Sequence, residues 1–229
     1  MLKKLLIFLI FATATTQNFA QQLKADENNA LISVLVTDME DKIRKNDIIH
    51  FVGKTTGKSF QGISNKEGKF DILLPEGETY EIKIIGLGEE QDYSELEIGN
   101  DEGSYEANIT IGYEPATSFT LKDVHFDVNL ATLRPESFKT LNELVEILKI
   151  KEDLRVEIAG HTDSDADEKH NQKLSQNRAE EIKKYMVSKG IDAKRISTVG
   201  YGESVPKYPN DSPENKALNR RIEAKIIGN

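Results

Sequence analysis

The 229-residue chain contains no cysteine. That absence excludes disulfides, thiolate metal sites and thiol nucleophiles, and it removes the residue that would carry a lipid anchor. Positive charge is also scarce: 30 Lys and Arg stand against 39 Asp and Glu, a net charge of −9. Such a balance argues against nucleic acid as a partner and leaves neutral or zwitterionic ligands open. Long apolar runs are few. The first, Leu5 to Phe11, falls well short of the roughly 20 residues that span a bilayer, and no later segment could cross a membrane as a helix. A series of alternating strands of about 9 to 11 residues, as an outer-membrane barrel needs, is missing as well.

Residues 1–20 open with Lys3 and Lys4, continue through that apolar run and end in small and polar residues up to Ala20. This is the pattern of a secretory signal peptide, with cleavage expected after Ala20, and it directs the mature chain to an oxidising envelope compartment such as the periplasm, possible outer-membrane association included. The remaining length suits two domains, each able to bury a core of its own. We place the first at residues 21–113 and the second at residues 114–229.

The first domain reads as an all-β sandwich. Ile32, Val34 and Val36 alternate with polar neighbours, as do Phe70, Ile72 and Leu74, and then Tyr80, Ile82 and Ile84. A period of two means that one face of each strand is buried. Asn65-Lys66-Glu67-Gly68 and Pro75-Glu76-Gly77 separate such runs and carry glycine where a turn can use positive φ, so both are expected to be hairpin connections. The order of these segments resembles the carboxypeptidase-regulatory-like, transthyretin-like sandwich family. That resemblance implies a spacer or interaction module, and no cluster of side chains in this half implies chemistry.

Beyond Tyr113 to Ser118, a short linker, strands begin to alternate with helices. Val124 and Phe126 read as a strand, and Pro135 fits the first turn of a helix with the apolar stripe Phe138, Leu141, Leu144, Val145 and Leu148. Val156 and Ile158 form the next strand. A polar loop leads into a second helix that stops before Gly190, then come a strand around Ile196 and Val199 and a last one carrying Ile222, Ala224 and Ile226. The expected fold class is α/β, βαβαββ, with helices against a mixed sheet.

The second helix holds an inconsistency. Asn171, Leu174, Arg178, Ile182 and Tyr185 recur at spacings of three and four, so they share the face that should meet the core. A half-buried arginine there needs an anion. Asp163, in the preceding loop, is one, and the guanidinium fork also suits a ligand carboxylate. Backbone amides at the start of the helix favour negative charge too, which would release Asp163 to hold an ammonium. These features describe a site for a small zwitterion.

Gly160-His161-Thr162-Asp163, Asn171, Leu174-Ser175-Gln176-Asn177-Arg178-Ala179, Gly200-Tyr201-Gly202-Glu203 and Asn219-Arg220-Arg221-Ile222-Glu223 occur in that order, after an opening Val124-His125-Phe126-Asp127-Val128-Asn129. In this the second domain resembles the OmpA-like C-terminal domain, the family shared with peptidoglycan-associated lipoproteins and flagellar stator proteins. The resemblance implies non-covalent binding of the diaminopimelate in peptidoglycan stems, without cleavage and without a cofactor. It assigns Asp163 to the ammonium and Arg178 to the carboxylate. Phe126, Asp127, Thr162, Asn171 and Leu174 would surround them, with Arg221 at the rim. Ala166 stands where the family usually has glycine, and Asp165, Asp167 and Glu168 make the loop acidic.

Plainer readings compete with these. Asp163 and Arg178 could form an internal ion pair, Asn171 could be the helix N-cap, and His161 reads as a satisfied structural histidine. Asp163, Asp165 and Asp167 imitate a calcium loop, but Glu168 and Leu174 occupy the positions that need glycine and glutamate. Ser204 and Lys207 match a Ser-x-x-Lys pattern with Pro206 between them and no supporting elements. No enzymatic reading has a complete constellation. The expected function is therefore peptidoglycan binding that tethers an envelope component. The other partner would be an envelope or outer-membrane protein held by the first domain. The alternative is an assembly module whose wall-binding site is vestigial.

Overall fold

The computed structural model describes residues 23–87, 90–100 and 104–228. The expected signal peptide lies outside the described residues. The N-terminal part contains β1 (Asn29–Thr37), β2 (Ile48–Gly53), β3 (Ser59–Ile63), β4 (Lys69–Pro75), β5 (Glu78–Ile85), β6 (Glu90–Ile98) and β7 (Glu106–Gly112). They form two sheets, ordered β4-β1-β7 and β3-β2-β5-β6. The alternating residues Ile32, Val34 and Val36 of β1 and Tyr80, Ile82 and Ile84 of β5 are buried in one cluster, together with Ile49, Phe51, Ile72 and Leu74. Burying one such side chain contributes about 1.5–3 kcal/mol, so a strand with three on its inner face is held in register.

The two expected hairpins are corners between sheets. β3 and β4 flank Asn65–Gly68 but belong to different sheets, and so do β4 and β5 around Pro75–Gly77. The chemistry of the turns is as expected: Gly68 has φ +73° and donates its N–H to Asn65 O at 3.0 Å, and Gly77 has φ +74°. A turn signal specifies a reversal of the chain; the choice between pairing and crossing is made by the strands.

The C-terminal part comprises β8 (Ser118–Thr120), α1 (Ser137–Ile150), β9 (Arg155–His161), α2 (Glu168–Ser188), β10 (Ile196–Gly202), α3 (Pro213–Asn219) and β11 (Ile222–Gly228). Its sheet is mixed, ordered β10-β9-β11-β8, with β9 and β10 parallel across the α2 crossover and β11 antiparallel to both neighbours. The mixed α/β architecture agrees with the sequence expectation. The position of its first strand does not, because Leu121 is the last residue tied to the sheet, donating to Ile222 O at 2.9 Å. Asp123, at φ +60°, then turns the chain away. Val124 and Phe126 consequently lie in a loop, where Phe126 makes an isolated bridge to Leu133.

α2 also packs in a different rotation from the one its larger residues suggest. The buried positions are Asn171, Ser175, Ala179, Ile182 and Met186. Small side chains occupy the seam because the helix backbone lies almost directly on glycines: a Cβ at Gly160 would fall 2.3 Å from Ser175 O, and one at Gly200 2.3 Å from Gln176 N. Close approach and hydrogen bonding decide the rotation, with Gly202 N donating to Ser175 Oγ at 2.9 Å and Gly200 N to Gln176 Oε1 at 2.7 Å. Leu174 and Arg178 are thereby turned to the flank.

The two parts share surface. Ile48 and Leu87 from the first are buried within the hydrophobic cluster of the second. Beside them Asp47, 1% exposed, accepts from Arg44 at 2.5 Å and from Lys151, and its backbone N–H donates to Ser64 Oγ at 2.9 Å.

Candidate functional site

A cleft of about 690 Å³ lies between the loop after β8, the β9–α2 loop, the start of α2 and the end of α3. Phe126, Thr162, Asp163, Asn171, Leu174 and Arg178 all line it, as do two arginines that sequence reasoning did not select, Arg134 and Arg220. Two other clefts, of about 610 and 680 Å³, lie where the two parts meet. Arg44 and Lys151, which line the first of these, are committed to Asp47.

Arg178 projects from the flank of α2 into the cleft. Its Nε donates to Leu130 O at 3.0 Å and its Nη2 to Asp127 O at 3.5 Å, while the guanidinium carbon sits 5.0 Å from the centre of the Phe126 ring. These contacts aim the group but leave its charge in place, since carbonyls and an aromatic face are neutral partners. Burial, and then the charge of Arg220, pull its pKa below the ordinary arginine value; Asp163 acts in the opposite sense. An arginine titrates so high that it remains a cation at neutral pH. Among the described residues no carboxylate lies within ion-pair distance of it.

Asp163, 8% exposed, is not the direct partner of Arg178. Its Oδ2 accepts from Arg220 Nη1 at 2.6 Å and its Oδ1 from Asp165 N at 3.2 Å. The internal Asp163–Arg178 pair weighed from sequence is therefore replaced by an Asp163–Arg220 pair. Arg221 points elsewhere: Nε donates to Glu223 Oε1 at 2.7 Å and Nη2 to Val205 O at 3.2 Å, and its side chain is 7% exposed. Asp127 does not line the cleft: its backbone carbonyl accepts from Arg178 Nη2, and its carboxylate accepts from Arg134 Nε at 3.2 Å.

The β9–α2 loop is tied down by Asn171. Its amide donates to Asp163 O at 3.0 Å, Ala166 O at 3.2 Å and Glu203 Oε2 at 2.6 Å. The N-cap is Asp167, which accepts from His170 N at 3.0 Å, so Asn171 is a clasp one turn into the helix. The three aspartates of the calcium-like run diverge: Asp163 meets Arg220, Asp165 meets Lys216 at 2.6 Å, and Asp167 caps the helix. Thr162 lines the cleft and donates its N–H to Gly202 O at 2.9 Å, while its buried Oγ1 has no hydrogen-bond partner among the described residues.

His161 is buried and stacks on Tyr201 at 5.2 Å between ring centres. The expectation of a satisfied histidine is met only weakly: among the described residues neither ring nitrogen makes a hydrogen bond of ordinary geometry, the Val205 backbone is its nearest polar support, and Glu223 Oε2 is 3.8 Å away. Burial, then the Arg221 charge, lowers its pKa to about 4. Ser204 Oγ donates to Tyr201 O at 2.6 Å, and Lys207 reaches Asn219 Oδ1 with its backbone N–H at 2.9 Å, which places both in a turn.

A family model described as the OmpA family matches residues 125–220, the segment that holds α1, β9, α2, β10 and α3 and most of the motifs, with β8 and β11 just outside it. This segment is an OmpA-like domain. Over 106 residues the chain is 40% identical to outer membrane protein A of Bordetella avium, covering 46% of this chain and 55% of that protein. Over 104 residues it is 40% identical to outer membrane porin F of Pseudomonas fluorescens, covering 45% of this chain and 32% of that one. The peptidoglycan-binding protein ArfA of Mycobacterium bovis is 40% identical over 93 residues, 41% of this chain and 28% of its own. Among solved structures, a MotB-like protein from Desulfovibrio vulgaris is 28% identical, with a TM-score of 0.44 over 49% of this chain and 73% of that one. The chain spans between about a third and just over half of the first two relatives. Among the described residues no helix is long and apolar enough to cross a membrane.

Proposed function

We propose that the OmpA-like domain binds peptidoglycan non-covalently, holding the ammonium and carboxylate of a diaminopimelate side chain with Asp163 and Arg178. The observation that carries this reading is a single cleft lined by an anchored carboxylate and by an arginine whose hydrogen bonds are to neutral groups. A zwitterion matches that pair, with two charge-assisted hydrogen-bond sets of about 1.5–3 kcal/mol each. The similarity to the peptidoglycan-binding protein ArfA supports peptidoglycan as the ligand. Phe126, Leu174, Thr162 and Asn171 shape the pocket, Asp127 positions Arg178 through its carbonyl, and no residue in the cleft is asked to break a bond.

The domain at residues 114–229 is then a wall anchor exported by the N-terminal signal. The domain at residues 21–113, read as a carboxypeptidase-regulatory-like sandwich, holds or spaces an envelope partner at the outer membrane or in the periplasm. One observation favours the rival assembly module: Asp163 is already satisfied internally by Arg220.

Co-sedimentation with purified diaminopimelate-containing peptidoglycan separates the two. Wild type should pellet, and Asp163→Ala and Arg178→Ala, each shown to be folded, should lose at least tenfold in affinity. Wild type left in the supernatant would reject the wall-binding proposal and favour the assembly module.

A further inference from the structure

Each sheet has two outer strands, and most of their free edges are guarded. In the C-terminal sheet β8 is only three residues long, and α2 side chains occupy the edge of β10: Gly200 O accepts from Gln172 Nε2 at 2.5 Å, Gly200 N donates to Gln176 Oε1, and Ile196 O accepts from Lys183 Nζ at 2.6 Å. On one side of the N-terminal sandwich β3 and β4 close on each other, the Phe70 ring filling the space over Gly62. On the other side β6 carries acidic residues and a bulge between Asp92 and Ser94. Short, charged, bulged and covered edges resist pairing with another strand.

β7 has none of these protections. It runs for seven residues with no proline and no charge after Glu106, and among the described residues it pairs only with β1. Odd-numbered residues turn their backbone groups to β1: Tyr105 O accepts from Leu31 N at 2.9 Å, and Tyr113 N donates to Thr37 O at 3.2 Å. Strand alternation therefore turns the N–H and C=O groups of Glu106, Asn108 and Thr110 outward. The next N–H in that series, on Gly112, is held by Tyr93 Oη of β6 at 3.2 Å, which closes the row at that end. Burial follows the same gradient. Ile111 is 1% exposed, whereas Ala107 and Ile109, on the same inner face, are only partly buried. One further strand would complete both the ladder and this rim of the core.

Charge beside the edge selects the strand. β6 and β7 carry Glu90, Asp92, Glu95, Glu97 and Glu106 and no basic residue. Lys54 reaches Glu95 and Lys83 reaches Asp92, but among the described residues no cation pairs with Glu97 or Glu106. A second copy of β7 would bring two acidic rims together, whereas a basic strand is attracted. We infer that β7 accepts an extended, basic segment of a partner protein by strand addition, the alternate apolar side chains of that segment covering Ala107 and Ile109. The inference rests on reading residues 21–113 as the holder of an envelope partner and gives the mode of holding; the wall-binding cleft takes no part in it.

Amide exchange of the wild-type chain, read by NMR with and without the peptide Lys-Val-Lys-Val-Thr-Val-Lys, tests it. The amides of Asn108 and Thr110 should slow by about tenfold or more when the peptide is present. The same peptide with glutamate in place of lysine should leave them unchanged, and so should one N-methylated on alternate residues along its pairing edge. Thr110→Pro removes an outward N–H that the fold does not use and should weaken binding of the lysine peptide about tenfold; the N-methylated peptide gives the same information if that variant melts early. Peptide that binds without slowing these amides would overturn β7 as the docking edge while a partner-holding domain stands. No binding at all would overturn strand addition, and wall co-sedimentation reads the cleft separately. Protection of these amides that grows with protein concentration and needs no peptide would assign the edge to a second copy and overturn the basic partner.

Discussion

Asp47 and Asp163 are both buried, at 1% and 8% exposure, and each meets an arginine at hydrogen-bond distance. Around Asp47 the set is closed: Arg44 and Lys151 both reach it, Ser64 ties its backbone, and the Arg44 guanidinium is covered by the Tyr113 ring at 4.8 Å. Burial alone would raise the Asp47 pKa, but Lys151 and Arg44 outweigh it and hold the carboxyl below the usual range. Around Asp163 the set is open, with one arginine in contact, a second facing the same cleft, and solvent on one side. A closed cluster joins parts of the protein together, whereas an open one retains the capacity to exchange partners.

The largest effect should come from breaking the closed cluster. Asp47→Asn leaves Arg44 and Lys151 without their shared anion where the two parts meet. Removing one partner of a buried pair costs about 3–5 kcal/mol; with Arg44 and Lys151 partly solvated, the lower end is expected. Urea unfolding followed by tyrosine fluorescence should show a clear drop in midpoint. A midpoint within error of wild type would mean that the cluster does not hold the two parts. Asp163→Asn, by contrast, should lower the midpoint much less while removing wall binding.

The sequence revealed these two clusters unequally. Asp163 was found because a polar loop precedes a helix with a misplaced arginine, a local signal. Arg44 and Asp47 are three residues apart, but Lys151 lies more than one hundred positions away and only the fold brings it in. β1, β4 and β5 were legible through their period of two. The α2 seam was not, since Ser175 and Ala179 carry little hydrophobic signal and are chosen by glycines on β9 and β10. The choice between Arg220 and Arg221 was available: Ile222 and Ala224 face the core, so strand alternation pairs Arg221 with Glu223 on the opposite face. That leaves Arg220, before the strand, to turn into the cleft. α3 is absent from the expected elements although Ser212 and Pro213 supply both start signals, the Ser212 hydroxyl accepting from Asn215 N at 3.2 Å.

A second contrast is one of pH. His161 has a folded pKa of about 4 against an ordinary 6.5, so the unfolded chain binds the extra proton in that interval. Its contribution is present above about pH 6.5 and lost as pH falls toward 4, on the order of 2 kcal/mol. In the N-terminal part, burial would raise the Glu78 pKa, but the amides of Thr55 and Thr56 hold it at about 2 against an ordinary 4.5. Stability from that carboxylate is present above pH 4.5 and lost toward pH 2. Amide hydrogen exchange across an acid series should therefore show the C-terminal sheet losing protection first, and His161→Gln should abolish the loss between pH 6.5 and 4. Simultaneous loss in both parts would contradict the separation.

The smallest effect sharpens the first comparison. Lys45 and Asp153 also bridge the two parts, 2.6 Å apart, but their side chains are 54% and 60% exposed. Distance alone would rank this bridge with the buried one. Exposure reverses that ranking, because water and salt screen the attraction and two long side chains lose freedom to form it, leaving about 0–1 kcal/mol. Lys45→Ala should consequently lower the unfolding free energy, read from urea titration, by less than about 0.5 kcal/mol, with the loss vanishing in molar salt, while Lys151→Ala strips a cation from buried Asp47 and costs several times more. Equal effects of the two lysine variants would mean that the surface bridge, and not the closed Asp47 cluster, carries the coupling between the parts.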